Sequence, residues 1–180
     1  MPDELGMFED RQSLKSFNAL RRGRWSEHDA DYFLTICVRR PQTGLCSSSL
    51  VGAIFGEMHR LAADAQWTAR TAVVMPDHLH LLVTLGLRSQ LSGCVRMFKG
   101  RLTPALRKAG LAWQPSFYDH RLRSADDLLP VFLYIFLNPY REKLTTPGST
   151  KWPGYYCAPE DWAWFGQLTD GDQPFPEWLR

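Results

Sequence analysis

Val74-Met-Pro-Asp-His-Leu-His-Leu-Leu-Val-Thr-Leu85 decides the fold. Pro76-Asp77 is turn chemistry: proline pre-sets its own φ, and aspartate hydrogen-bonds nearby backbone. The run His78–Leu85 that follows predicts a strand. Successive strand side chains point to opposite faces, so His78 and His80 share one face while Leu79, Leu81 and Val83 take the other. Before the turn, Ala69–Met75 predicts the strand that completes a hairpin. Further upstream, Asp31–Arg39 (DYFLTICVR) is rich in the aromatic and β-branched residues that suit a pleated, half-buried surface. Between these strands Leu50, Ile54, Met58, Leu61 and Ala65 recur at helical spacing, with Ser48 or Ser49 as the expected cap.

Downstream of the hairpin, Leu91, Val95, Phe98 and Leu102 mark one face of a second helix, with Arg96, Lys99 and Arg101 on the other. Pro104 is expected to bend or end it. Trp113–Arg121 predicts an irregular fourth strand. Ser124–Asp127 resembles a capping box opening a helix that runs through Tyr134 to about Leu144. The order strand, helix, strand, strand, helix, strand, helix predicts an α+β fold, a ferredoxin-like antiparallel sheet with helices on one face. Residues 1–28 form an extension with a basic arm, 29–145 the domain, and 146–180 an acidic, tryptophan-rich, irregular tail packed on it.

A chain of 180 residues with 44% hydrophobic and 22% charged residues has the composition of a globular protein. No apolar run reaches the length of a membrane span. Cys37, Cys46, Cys94 and Cys157 are too scattered for zinc-ligand pairs, which together with the lack of a signal-like segment predicts a cytoplasmic location. Charge is unevenly spread. Residues 1–10 carry four acids and no base, residues 146–180 five acids and two bases, and residues 11–145 hold 19 bases against 10 acids. A basic centre of this kind predicts a polyanionic partner, with the acidic tail as a partial cover over the same surface.

The chemistry concentrates at two places. Two same-face imidazoles on one strand lie about 6–7 Å apart at Cα, close enough to lean onto one divalent ion. Tyr134 and Asn138, four apart in a predicted helix, also share a face. The amide oxygen is a hard donor of the kind Mg²⁺ or Mn²⁺ takes, and the phenol one turn away is a nucleophile.

The run Val74–Val83, and some fifty residues later Tyr134-Ile-Phe-Leu-Asn-Pro139, together resemble the single-tyrosine HUH transposases, in particular the REP-associated tyrosine transposases. Phe98-Lys-Gly-Arg101, Trp113-Gln114 and Phe117-Tyr-Asp-His-Arg121 extend the resemblance, which runs from about Tyr32 to Leu144. It implies His78, His80 and Asn138 as ligands of Mg²⁺ or Mn²⁺, Tyr134 as nucleophile, and a folded single-stranded DNA hairpin with flanking bases as substrate. It also implies action as a monomer.

For deprotonating the phenol, His120 and Asp119 are the candidates. For phosphate contacts they are Arg21, Arg22, Arg24, Arg96, Lys99, Arg101, Arg121 and Arg123, with Trp25 and Trp113 as stacking surfaces for bases. Four positions depart from the family pattern: Phe136 stands where many members have histidine, Tyr140–Lys143 replaces a common Val-Arg-Ala-Gly, Asp77 often appears as asparagine, and Trp152-Pro-Gly lacks a usual serine pair. The rival expectations are a non-catalytic nucleic-acid-binding protein derived from a transposase, or a rolling-circle-type nickase.

Overall fold

In the computed structural model, residues 26–123 and 128–179 are described. The elements follow in the order β1 (Asp31–Cys37), α1 (Ser48–Ala63), β2 (Trp67–Val74), β3 (His78–Leu85), α2 (Leu91–Lys108), β4 (Tyr118–Arg121), α3 (Leu128–Arg141), β5 (Tyr155–Cys157) and α4 (Pro159–Phe165). Two short 3₁₀ turns, Gly166–Leu168 and Pro176–Leu179, finish the chain. The sheet order is β4-β1-β3-β2-β5, every neighbouring pair antiparallel. The α+β antiparallel fold expected from the sequence is therefore the fold found.

Alternation along the strands creates two apolar layers. Leu34, Ile36, Ala72, Val74, Leu79, Leu81 and Val83 face α1 and α2, meeting Ile54, Met58, Leu61, Val95, Phe98 and Leu102. Phe33, Val73 and Leu82 face the other way, toward Phe132, Ile135, Phe136 and Phe165. The helices thus flank both faces instead of sharing one. The reason is composition: α3 carries apolar residues around most of its circumference and needs its own sheet face to bury them.

Local details also differ from expectation. Ser47, not Ser48 or Ser49, occupies the cap of α1, and its side chain makes no capping hydrogen bond. Pro104 neither bends α2 to a stop nor ends it, since the helix runs on to Lys108. Proline cannot donate to the carbonyl four residues back, that of Gly100; one position earlier, the Lys99 carbonyl accepts from Thr103 Oγ1 (2.7 Å) and Trp113 Nε1 (3.2 Å). The fourth strand shrinks to Tyr118–Arg121, although Val38 still bridges Trp113. The capping box Ser124–Asp127 and the basic arm through Trp25 lie outside the described residues.

The C-terminal segment is less irregular than its prolines and glycines suggest. Tyr155–Cys157 extends the sheet beside β2, and α4 buries Phe165 completely against Phe132 and Phe136. Arg70, the extra residue at a bulge between Ala69 and Thr71, joins sheet to tail: its guanidinium bonds both oxygens of Asp161 (2.5 and 3.1 Å) and Asp31 Oδ2 (2.7 Å). Three contacts to two carboxylates hold the Arg70 pKa above its ordinary value, the Asp161 bonds contributing most. Phe165→Ala should lower stability by about 3–5 kcal/mol, the usual cost of a large aromatic cavity, measured by urea unfolding. Removing residues 146–180 should abolish cooperative unfolding; a truncated protein with the full-length midpoint would show the segment to be dispensable.

Candidate active site

The β1–β3 register pairs Thr35 with His80 and Cys37 with His78. Paired residues share a face, and this face is the one covered by α3. Thr35 Oγ1 lies 2.9 Å from His80 Nδ1. His78 Nδ1 donates to Asp77 Oδ1 at 2.6 Å. Each imidazole is thus oriented through Nδ1 by its own oxygen, which leaves Nε2 as the working atom of each ring, as in metal-binding histidines held by an outer partner. The ring centroids of His78 and His80 are 4.5 Å apart.

Tyr134 on α3 meets this pair. Its hydroxyl is 3.4 Å from His80 Nε2 and its ring centroid 5.1 Å from that of His80. Phe33, two residues before Thr35 and hence on the same face, stacks on His80 at 5.3 Å and takes the edge of Tyr134 at 5.7 Å. The phenol, the two imidazoles and the phenylalanine thus form one packed group.

Asn138 lies one turn beyond Tyr134, buried at 5% exposure. Its side-chain oxygen has no hydrogen-bond partner. A buried amide oxygen left unpaired costs roughly 1–3 kcal/mol, so its presence on the face of α3 shared with Tyr134 fits a donor kept for something else. Among the described residues no three of His, Cys, Asp and Glu converge as a metal-binding group. Two imidazoles and one amide carbonyl are nonetheless a donor set that a hard divalent ion accepts. The residues fit the group.

The two candidate bases separate by register. His120 pairs with Phe33 and so lies on the Tyr134 face. Asp119 pairs with Leu34, whose side chain packs in the α1–α2 layer. Tyr32, also in that layer, has its pKa raised by burial and then by the negative charge of Asp119, which agrees with that placement.

The expected phosphate-contacting residues scatter. Arg21, Arg22 and Arg24 lie outside the described residues. Arg96 is exposed on α2, across the sheet from Tyr134. Lys99 holds the loop before β4 by bonding the carbonyls of Gln114 (2.6 Å) and Ser116 (3.0 Å). Arg101 pairs with Glu57 (3.1 Å) and Asp64 (3.3 Å), tying α2 to α1. Arg121 pairs with Glu27, and Arg123 is exposed just past β4. Trp113 is 9% exposed, with its indole N–H bonded to Lys99, so it belongs to the core and offers no ring for stacking. Thr35 and Phe33 were missed as site residues. Sequence offers only their shared parity in β1; which histidine they meet depends on register.

The family described as "Transposase IS200 like" matches residues 31–125, a segment that includes both histidines and ends before Tyr134. A REP-associated tyrosine transposase of Escherichia coli (strain K12) is 30% identical over 122 residues, spanning 62% of this chain and 70% of that protein. A solved structure of a REP-associated tyrosine transposase bound to a REP hairpin superposes with a TM-score of 0.62 at 25% identity, covering 73% of this chain and 79% of the other. Among the described residues no helix is long and apolar enough to cross a membrane.

The Asp77 contact makes a prediction. In long-range ¹H–¹⁵N spectra His78 should carry its proton on Nδ1, and Asp77→Ala should give a mixture of tautomers. An unchanged pattern would mean that Asp77 does not orient the ring. If His78 holds a divalent ion, affinity for that ion in the same variant should fall about 10–100-fold, the usual effect of removing an outer partner from a metal-binding histidine.

Proposed function

We propose, from the premise that the chain belongs to the IS200-like transposase family, that this transposase cuts and rejoins single-stranded DNA beside a hairpin, using Tyr134 as its nucleophile. The observation that carries the proposal is the 3.4 Å approach of the Tyr134 hydroxyl to His80 Nε2, made from two elements 54 residues apart. A hairpin substrate is supported by the similar transposase solved with a REP hairpin.

His78, His80 and Asn138 would hold the divalent ion, Mg²⁺ or Mn²⁺, which when bound supplies Lewis-acid polarisation of a non-bridging phosphate oxygen. The remaining work falls to the chain. Phe33 and His80 pack against the Tyr134 ring, so the phenol is oriented before substrate arrives. The Tyr134 oxygen attacks phosphorus; the bond to the 3′ oxygen breaks, leaving a 3′-hydroxyl and a 5′-phosphotyrosine. The phenol must lose its proton in this step. Of the two base candidates we retain His120, since Asp119 belongs to the opposite face. The ester conserves the energy of the broken bond, so an incoming 3′-hydroxyl can displace Tyr134 and reseal the strand without a nucleotide cofactor. We place the protein in the cytoplasm and expect it to act as a monomer.

The test is an adduct assay. A 5′- or 3′-labelled hairpin oligonucleotide with single-stranded flanks, incubated with Mg²⁺ or Mn²⁺, should give an SDS-resistant species carrying only the fragment with the 5′ phosphate. Tyr134→Phe and EDTA should each remove it. His120→Ala should slow adduct formation by about 10²–10⁴-fold if that ring takes the proton. Cleavage without an adduct would instead identify a hydrolase, and a mobility shift without cleavage a binding protein.

A further inference from the structure

We infer that Arg39, Arg40, Arg107 and Lys108 form a phosphate-gripping surface that guides the DNA strand past the His78 end of the site; the inference rests on the strand-transfer reading above and adds where the strand runs.

The pairing of β1 with its neighbour does not stop at Cys37. Gln114 N donates to the Cys37 carbonyl (2.9 Å), Val38 bridges Trp113, and Arg39 N donates to the Ala112 carbonyl (2.8 Å). Extended alternation therefore continues from Phe33 through Thr35 and Cys37 to Arg39. Cys37 is the register partner of His78. Arg39 thus stands one step further along the same face, about 6–7 Å from Cys37 at Cα. Gln42 fastens the next turn to the end of α2, donating to the Gly110 carbonyl (3.2 Å) and accepting from Ala112 N (2.9 Å). These bonds bring Arg39-Arg40 against the segment that follows Arg107-Lys108. All four side chains belong to exposed residues.

Charge makes this end of the molecule distinctive. Residues 32–56 contain Arg39 and Arg40 and no acid; residues 78–118 contain six bases and no acid. Lys99 and Arg101 are already engaged in backbone and ion-pair contacts within the fold. Among the described residues, Arg39, Arg40, Arg107 and Lys108 enter no ion pair. Arg107 and Lys108 also suit the negative end of α2's dipole, a role that leaves their heads in solvent. The two arginines on the facing turn have no such explanation. Four cations that enter no ion pair among the described residues match a polyanion carrying one charge per residue, and on the reading above the adjoining site acts on such a polymer. A nucleic-acid backbone is the occupant to which the surface is complementary.

The experiment measures the anisotropy of a labelled hairpin oligonucleotide with single-stranded flanks, across salt concentrations. It compares the wild type with the quadruple variant Arg39→Gln, Arg40→Gln, Arg107→Gln, Lys108→Gln. Arg88→Gln, just past the opposite end of β3, serves as control, and circular dichroism checks folding. Each lost phosphate contact should reduce the slope of log K against log salt by about 0.7, so the quadruple variant should lose up to about 3. Its affinity at low salt should fall at least about tenfold while Arg88→Gln changes little. A folded quadruple variant with the wild-type slope would overturn the surface but leave the strand-transfer reading intact, provided the wild type still forms the Tyr134 adduct. Absence of both adduct and salt-dependent binding in the wild type would instead overturn the reading beneath it. Phosphatidylserine vesicles competing as well as DNA for the wild-type surface, but not for the variant, would reassign it to a lipid headgroup.

Discussion

Antiparallel alignment of β1 on β3 is the constraint on which the rest of this molecule depends. It sets Thr35 opposite His80, Cys37 opposite His78 and Phe33 opposite Leu82. The hydroxyl thereby reaches an imidazole Nδ1, and a ring is positioned to stack on that imidazole. A slip of one residue would turn Leu79 and Leu81 toward α3 and drive the histidines into the layer beneath α1 and α2. That layer has no room for polar rings: Leu79, Leu81 and Ile36 are fully buried in it. The apolar face of β3 therefore protects the geometry of the polar one.

A second helix layer follows from this arrangement. The polar group sits on a sheet face that must also be sealed from solvent, and α3 does both jobs. Ile135 and Phe136 bury against Phe33, Val73 and Leu82, while the Tyr134 hydroxyl meets His80 and the buried Asn138 side-chain oxygen one turn on has no hydrogen-bond partner. The tail completes the seal, since Phe165 and the Arg70–Asp161 contacts close the outer side of α3. Tyr134, the proposed nucleophile, and the apolar residues that seal this sheet face thus share one helix.

The electrostatics divide similarly. A net charge of +2 conceals an acid-free stretch from His78 to Tyr118 and an acidic C-terminal segment. Folding commits some of these cations to internal work, Lys99 to a loop and Arg101 to Glu57, and leaves others in solvent. Which cations remain available is invisible in the count. Lys99 and Arg101, marked by their neighbours in sequence as part of a basic helix face, proved to be tethers, whereas Arg39 and Arg40 at a β-turn stand free of ion pairs among the described residues.

By itself the sequence determined the types of the elements from β1 to α3, the β3 boundaries and the shared face of His78 and His80, because alternation in a strand and 3.6-residue periodicity in a helix are local properties; β5 and α4, in a segment read as irregular, were not among them. It also carried the Tyr134–Asn138 spacing, which needs only one helical turn. Tertiary structure alone decided that α3 lies across the sheet from α1 and α2, that Thr35 orients His80, that Asp119 turns away from Tyr134 while His120 does not, and that the Trp113 indole closes onto the Lys99 carbonyl. Each of these depends on strand register or on partners remote in the chain. Register is fixed by the summed burial of whole faces, a quantity that no local stretch of residues contains.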